Sequence, residues 1–213
     1  MPLEDASAAA GPPRVPVVCI GLSLGGLDPL KTIFTQLSTK TGMAFVVISH
    51  LSRTHPTALP YLLSLWSKMP AQLAQNGMVL KPNQIYVIPP GDELLMKDGY
   101  LLVRPRTKLR GWTDVITVFL KSLATPRSPA SVAVILSGLD ADGSAALEKF
   151  HNNGGVVIAQ ALESANHEEM PLAALASGCV DYILTPEAIP VKLEEISRTQ
   201  GADDNHEAAN VGY

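Results

Sequence analysis

The sequence predicts an α/β fold: a doubly wound, mostly parallel β-sheet that is flanked by helices and carries one antiparallel β-hairpin. Two observations lead to this fold class. Short apolar, β-branched runs recur along the chain, and segments with helical spacing of apolar residues separate them. The runs are apolar throughout instead of alternating with polar residues, which is typical of strands buried on both faces of a parallel sheet.

The predicted domain occupies residues 15–198 of the 213-residue chain, a length that suits one globular domain. Residues 1–14 are rich in Ala, Gly and Pro, and residues 199–213 are polar without apolar periodicity. We therefore expect both ends to be flexible tails.

In the first half of the domain, three apolar runs predict buried strands at residues 15–20, 44–49 and 85–88. A glycine-rich turn follows the first strand, and four apolar residues at helical spacing follow the turn: Leu27, Leu30, Phe34 and Leu37. After the second strand, a helix is predicted from about residue 55 to residue 68, since Pro56 suits a first helical turn.

A β-hairpin is predicted after the third strand. Asp98-Gly99 lies between the apolar runs 94–96 and 100–103, and Asp-Gly favours a type I′ turn because both central residues need a positive φ. Thr113 or Asp114 is the candidate N-cap of the next helix. The apolar stripe of that helix consists of Ile116, Phe119, Leu120 and Leu123.

The second half of the domain alternates regularly between strands and helices. Strands are predicted at residues 131–136, 156–159 and 180–184, and helices at residues 143–152, 171–177 and 186–197. A strand, helix, strand order of this kind requires crossover connections, which join parallel neighbours in one sheet.

The composition argues against several classes of function. The formal net charge of −4 leaves no basic surplus with which to bind nucleic acid. Cys19 and Cys179 lie in apolar runs without metal-ligand spacing, so we expect packed thiols, no metal site and no cofactor. The Asp140/Asp142 pair lacks the further oxygen ligands of a cation loop.

The sequence also lacks signals for membrane insertion. No apolar run is long enough to span a membrane, and residues 1–13 have neither the basic nor the apolar region of a secretory signal. We therefore expect a cytoplasmic protein without direct membrane insertion.

Residues suited to catalysis follow three of the predicted strands. Ser23 follows the first strand, His50 follows the second, and Asp142 lies in the turn after the strand at 131–136. The carboxyl ends of parallel strands form one edge of a sheet, where ligands bind in open α/β folds. We therefore expect the three side chains to lie together, as nucleophile, general base and orienting acid of a serine hydrolase.

Each of the three residues also has a simpler interpretation. Gly21-x-Ser23-x-Gly25 matches a nucleophile elbow with the Leu24 N–H as a candidate oxyanion donor, but Ser23 is alternatively a helix N-cap. A single histidine at a strand end is often structural. Asp142, or Asp140 two residues earlier, is alternatively an N-cap.

A set of segments resembles the catalytic domain of chemotaxis protein-glutamate methylesterases of the CheB type. The segments are VCIGLSLGG (18–26), FVVISH (45–50), IYVIPPG (85–91), Asp114, VILSGLDADG (134–143), GVVIAQ (155–160) and Met170-Pro171. The resemblance extends over about residues 15–196. It is nearest to the catalytic domains found beside methyltransferase modules in hybrid chemotaxis-like proteins.

The resemblance implies a function and assigns roles to residues. Ser23 corresponds to the nucleophile, His50 to the general base and Asp142, not Asp140, to the orienting acid. The Leu139 N–H becomes a further candidate oxyanion donor. The implied substrate is a methylated chemoreceptor, whose γ-glutamyl methyl esters the family hydrolyses with release of methanol. Some members also deamidate receptor glutamines.

The sequence departs from the family pattern in three respects. Glu169 replaces the glycine that usually precedes the Met-Pro pair. Leu139-Asp140 replaces the usual Met-Gly, which adds a charge beside the site. No receiver domain precedes the predicted domain, so we expect either regulation by a separate partner, such as a response regulator or a methyltransferase, or an unregulated or excised catalytic domain.

Two other functions remain as alternatives. The departures at Leu139-Asp140 and Glu169 are compatible with a catalytically weak signalling scaffold of the same fold. A dinucleotide-binding module is less well supported, because Gly21-x-Ser23-x-x-Gly26 lacks the second glycine of that motif. In addition, the second strand is followed by His50 where an acidic residue would bind the ribose.

Overall fold

The computed structural model describes residues 15–50, 55–106, 114–124 and 131–210. The strands are β1 (Val17–Leu22), β2 (Ala44–Ser49), β3 (Ala71–Leu73), β4 (Met78–Val79), β5 (Gln84–Val87), β6 (Asp92–Lys97), β7 (Tyr100–Pro105), β8 (Val132–Ile135), β9 (Val156–Gln160) and β10 (Tyr182–Leu184). The helices are α1 (Leu27–Gln36), α2 (Leu59–Trp66), α3 (Val115–Leu123), α4 (Ser144–Asn152), α5 (Glu169–Ala176) and α6 (Ala188–Asn210), with a 3-10 turn at Leu162–Ser164.

Seven strands form one parallel sheet in the order β10-β9-β8-β1-β2-β5-β3. From β1 the chain first builds the sheet towards β3 and then returns to add β8, β9 and β10 on the other side of β1. The direction of winding therefore reverses at β1, whose neighbours are β2 and β8. Ligands bind at such a switch point in open α/β sheets.

Helices cover both faces of the sheet, which confirms the predicted doubly wound fold. On one face, buried side chains of α1, α2 and α6 pack with Val18, Ile20 and Leu22 of β1. On the other face, buried side chains of α3, α4 and α5 pack with Val17 and Cys19. All six residues of β1 are buried, so the central strand is apolar on both sides, as its sequence predicts.

The predicted hairpin is present as β6 and β7, and β4 extends it to a three-stranded antiparallel sheet. Asp98 and Gly99 in the turn both have positive φ, of 51° and 84°. The hairpin rests against α3, where the Met96 N–H donates to the Ser122 hydroxyl. The sequence did not indicate β3 and β4, because strands of three and two residues are too short to show a periodicity.

Two helix boundaries differ from the sequence prediction by more than two residues. Helix α2 begins at Leu59 instead of residue 55, and Pro60 in place of Pro56 occupies its first turn. Helix α6 continues to Asn210, beyond the predicted end at residue 197 and into the predicted tail. Residues 201–210 lack apolar periodicity, but they also contain no proline that would break a helix, and α6 continues through them. The predicted tail at 1–14 lies outside the described residues.

Two further features concern membranes and thiols. Among the helices of the described ranges, none combines the length and the apolar character needed to cross a membrane. Cys19 is buried in β1 and Cys179 is half-buried, and both are free thiols, as expected from their apolar surroundings.

We expect Phe45→Ala to lower the free energy of unfolding by about 3–5 kcal/mol. Phe45 is fully buried in β2, and its ring makes an edge-to-face contact with Phe34 at 5.7 Å between centroids. Urea unfolding followed by circular dichroism measures the change, and Tyr61→Ala on the exposed face of α2 is the control. Equal stabilities of the two variants would contradict the assigned packing.

Candidate active site

The sheet brings the predicted site residues to one edge. In the parallel register, Leu22 of β1 is opposite Ser49 of β2, and Gly21 is opposite Ile135 of β8. The segments that follow these strands contain Ser23, His50 and Asp142 respectively. All three residues therefore lie in segments that follow neighbouring strands at one edge of the sheet.

Asp142 connects His50 to the N-terminus of α3. Its Oδ2 atom lies 2.9 Å from His50 Nε2. The same atom accepts a hydrogen bond from the Ile116 N–H at 2.9 Å, and Oδ1 accepts one from the Thr117 N–H at 2.9 Å. The side chain is only 2% exposed. Asp142 thus fixes the histidine ring and satisfies two of the N–H groups that the first turn of a helix leaves unpaired.

A second hydrogen bond ties α3 to the same loop. The Gly143 N–H donates to Thr117 Oγ1 at 2.8 Å, so the loop and the helix each supply a side-chain acceptor to the other's backbone. Asp114 occupies the N-cap of α3, but its side chain makes no capping hydrogen bond. The predicted N-cap position is therefore confirmed for Asp114, although its side chain does not bond to the first turn, and Thr113 lies outside the described residues. The carboxylate that accepts the first-turn N–H groups of α3 belongs to Asp142 instead.

Asp140 binds the other nitrogen of the His50 ring. Asp140 Oδ2 lies 2.9 Å from His50 Nδ1, and Asp140 Oδ1 accepts the Asp142 N–H at 2.9 Å. The side chains of Asp140 and His50 are 6% and 15% exposed. Carboxylates only accept hydrogen bonds, so a ring paired with two of them must donate from both nitrogens and carry a proton on each.

The two carboxylates change the proton affinity of the ring. Burial by itself lowers the pKa of His50, but the hydrogen bonds and negative charges of Asp140 and Asp142 outweigh burial and raise the pKa from 6.5 to about 9. Burial raises the pKa of Asp140, whereas the His50 ring and the Asp142 N–H lower it further, so that the carboxyl ionises below its usual range.

Ser23 lies in the turn between β1 and α1. Its N–H donates to the Ser137 carbonyl and its own carbonyl accepts the Gly26 N–H. The N-cap of α1 is Gly26, and no side chain caps that helix. The alternative that Ser23 is an N-cap is therefore not supported. Within the described ranges, the Ser23 hydroxyl makes no hydrogen bond to His50, because Asp140 and Asp142 hold both ring nitrogens.

Close packing explains two glycines beside Ser23. A Cβ at Gly138 would lie 2.8 Å from Ser23 Cβ and 2.0 Å from Met170 Sδ, so the loop after β8 can approach the serine only without a side chain there. Gly25 has a φ of +78°, which favours glycine in the tight turn. The glycine pattern around Ser23 thus reflects both crowding and backbone conformation.

A buried residue that the sequence did not indicate organises the site. Ser137 is fully buried: its N–H donates to Gln160 Oε1, its Oγ donates to the Leu24 carbonyl and accepts the His167 N–H. Ser137 therefore joins the Ser23 turn, the end of β9 and the loop before α5. The His167 carbonyl also accepts the Gly138 N–H, which joins the loop before α5 to the loop after β8.

The candidate oxyanion donors lie in exposed turns. Leu24 and Leu139 are 57% and 41% exposed. For the described part of the chain, neither backbone N–H has an acceptor. Both groups are thus available to a ligand at this edge. In the same ranges, no group of three or more His, Cys, Asp or Glu side chains is arranged to hold a metal ion.

The profile of the CheB methylesterase family matches residues 18–193. This chain belongs to the CheB methylesterase family. It is 32% identical over 196 residues to a protein-glutamate methylesterase/protein-glutamine glutaminase of Geobacillus kaustophilus (strain HTA426), covering 88% of this chain and 55% of that protein. A relative of the same name, numbered 3, from Anaeromyxobacter dehalogenans (strain 2CP-C) is 31% identical over 199 residues, covering 89% of this chain and 58% of that protein.

The solved structures agree with this assignment. The crystal structure of the Thermotoga maritima CheB methylesterase catalytic domain superposes with a TM-score of 0.80 at 27% sequence identity. The match covers 86% of this chain and 100% of that domain. The family member described here thus spans the whole of a CheB catalytic domain, but only 55% and 58% of the length of the two curated relatives.

We expect Gly138→Ala to lower the free energy of unfolding by about 1–3 kcal/mol, because the added Cβ overlaps Met170 and the base of Ser23. Urea unfolding measures the loss, and the NMR shift of the Ser23 amide reports the displacement of the turn. The control is Gly154→Ala, where an added Cβ meets nothing within 4 Å and only the positive φ of 85° is unfavourable. An unmoved Ser23 amide in Gly138→Ala would contradict the close approach.

Proposed function

We propose that this chain is a serine hydrolase that removes methyl groups from glutamate γ-methyl esters of chemoreceptors. Ser23 is the nucleophile, His50 the general base and Asp142 the orienting acid. The observation that carries the proposal is the buried Asp142–His50 pair at the strand edge where the Ser23 turn begins. Membership of the CheB methylesterase family and the activity named for its relatives support it.

The reaction follows from the chemistry of the three side chains. The neutral His50 ring accepts the hydroxyl proton while Ser23 Oγ attacks the ester carbonyl, and the ring then returns that proton to methanol as it leaves. A water molecule attacks the acyl-enzyme in the same way and releases glutamate and the free serine. The backbone N–H groups of the exposed residues Leu24 and Leu139 are the proposed donors to the oxyanion of both tetrahedral intermediates.

Asp142 is well suited to orient the ring. Three hydrogen-bond partners surround its carboxylate, namely His50 Nε2 and the N–H groups of Ile116 and Thr117. The two backbone donors at the N-terminus of α3 fix the direction of the carboxylate. The carboxylate in turn stabilises the imidazolium that forms during acyl transfer.

The same acyl chemistry extends to amides. The relatives that match this chain are named protein-glutamine glutaminases as well as methylesterases. We therefore propose deamidation of receptor glutamines as a second reaction of the site, in which His50 delivers its proton to ammonia instead of methanol. The same three side chains would carry out both reactions.

The setting of the reaction is also part of the proposal. The catalytic unit comprises residues 15–198 and acts in the cytoplasm on the cytoplasmic part of a methylated receptor. A separate response regulator or methyltransferase is the proposed regulatory partner. The family assignment favours a hydrolase over the dinucleotide-binding module, because the matching family model and the relatives described above are named methylesterases.

A catalytically weak scaffold is the second candidate function. The specific observation that favours it is the pairing of both His50 nitrogens with carboxylates, which leaves neither nitrogen for the Ser23 proton in this arrangement. A fluorophosphonate probe separates the two candidates, because only an activated serine reacts with it. Labelling of Ser23 supports the hydrolase, and a folded protein that is unlabelled at every pH up to about 10 supports the scaffold.

We expect Ser23→Ala to reduce methanol release from a methylated chemoreceptor by at least about a thousandfold at pH 9, because the acyl-enzyme cannot form. The assay measures volatile methanol from receptor carrying labelled methyl groups. Ser64→Ala, on the exposed part of α2, is the matched control and keeps full activity. Circular dichroism verifies that both variants fold. Undiminished turnover in Ser23→Ala would remove the proposed mechanism.

A further inference from the structure

We propose that Asp140 is a positioning residue that holds the His50 ring between two carboxylates, so that the ring must release Asp140 before it can accept the proton of Ser23. The proposal rests on the proposed function for the identity of the reaction. It goes further by assigning a regulatory role to a side chain that the catalytic mechanism itself does not use.

The geometry makes binding of Asp140 and activation of Ser23 mutually exclusive. An imidazole ring has two nitrogens, and Asp142 takes Nε2. The remaining nitrogen, Nδ1, is bound to Asp140 Oδ2 at 2.9 Å. A ring that keeps Asp142 as its orienting acid can therefore serve as a base only through Nδ1. That nitrogen must first lose its proton and its contact with Asp140.

The backbone holds Asp140 in place to make this contact. Asp140 Oδ1 accepts the N–H of Asp142 two residues later, at 2.9 Å, which forms an Asx-turn. Because Asp142 is itself anchored to α3, the two carboxylates approach the ring from one rigid loop. The carboxylates of Asp140 and Asp142 thus form a preorganised pair of acceptors around the His50 ring, which we call the clamp.

The charges around the ring favour the clamped state near neutral pH. Among the described residues, the charged groups that act on His50 are Asp140 and Asp142, both from the loop after β8. Helix α3 presents backbone N–H groups to Asp142. Strand β1 contributes the Cys19 thiol. Burial and the negative charge of Asp142 raise the pKa of this thiol, so it stays neutral. With a pKa of about 9 for His50, roughly one ring in a hundred is neutral at pH 7.

The consequence is a site whose basic group becomes available at high pH or when Asp140 is displaced. A bound substrate or a partner protein that draws Asp140 away from Nδ1 would lower the proton affinity of the ring and free that nitrogen at once. Asp140 lies next to the exposed Leu139 in the loop after β8, where such a contact can reach it.

The test compares the pH dependence of kcat/KM for methanol release in the wild type, Asp140→Ala and Asp140→Asn. Asp140→Ala frees Nδ1 and removes one negative charge. We expect its pH profile to rise at least one pH unit lower than that of the wild type and its activity at pH 7 to be at least fivefold higher. Asp140→Asn keeps an acceptor for the Asp142 N–H, so it separates the loss of charge from any loss of loop structure.

Asp181→Asn is the matched control. Asp181 also pairs with a histidine, His151, and accepts a backbone N–H, that of Val157, but it lies at the opposite edge of the sheet, beside the beginning of β9. This variant removes the same charge from the protein and should leave the pH profile unchanged. A profile that moves equally in Asp181→Asn would overturn the proposal.

A second measurement is independent of activity. NMR titration of the His50 ring in Ser23→Ala, with and without Asp140→Ala, gives the proton affinity of the ring in a protein that cannot turn over. We expect the pKa of His50 to fall by at least one unit when Asp140 is replaced. An unchanged His50 titration, or an unchanged activity profile in an active Asp140→Ala enzyme, contradicts the clamp. A lowered pKa without esterase activity in any variant supports the clamp and rejects only the proposed function.

Discussion

The carboxylate of Asp142 is the constraint on which the arrangement of the site depends. It is almost fully buried, and a buried charge is tolerated only when hydrogen-bonded partners replace water. Those partners are two N–H groups of α3 and the ring of His50. Removing any one of them would leave unsatisfied polar groups, so the helix, the loop after β8 and the histidine at the end of β2 hold one another in place.

The parallel sheet explains why these partners meet. Apolar burial on both faces fixes the register of β1 against β2 and β8, and that register brings the segments after the three strands to one edge. The fully buried Ser137 then joins the Ser23 turn to the loop before α5. Rigid apolar strands thus carry a polar network at their ends, which is where precise positioning of side chains is needed.

Much of the fold and the membership of the site follow from local patterns. Uninterrupted apolar runs identified every long strand of the sheet, and the βα order placed Ser23, His50 and Asp142 at one edge. The contacts of Asp142 with α3 and of Ser137 with Gln160 could not be predicted, because their partners are more than 20 residues apart and leave no periodic signal. The added charge of Asp140 was visible in the sequence, but its contact with His50 Nδ1 depends on the three-dimensional path of the loop.

Hydrogen exchange at the N-terminus of α3 tests the central role of Asp142 most directly. NMR measures the exchange rates of the Ile116 and Thr117 amides in the wild type and in Asp142→Ala, with the buried amides of β1 as the internal reference. Loss of hydrogen bonds to a charged acceptor, each of about 1.5–3 kcal/mol, predicts exchange at least tenfold faster at both amides in the variant. Equal exchange rates in the two proteins would show that the carboxylate does not hold the helix, and the account of the site would be wrong.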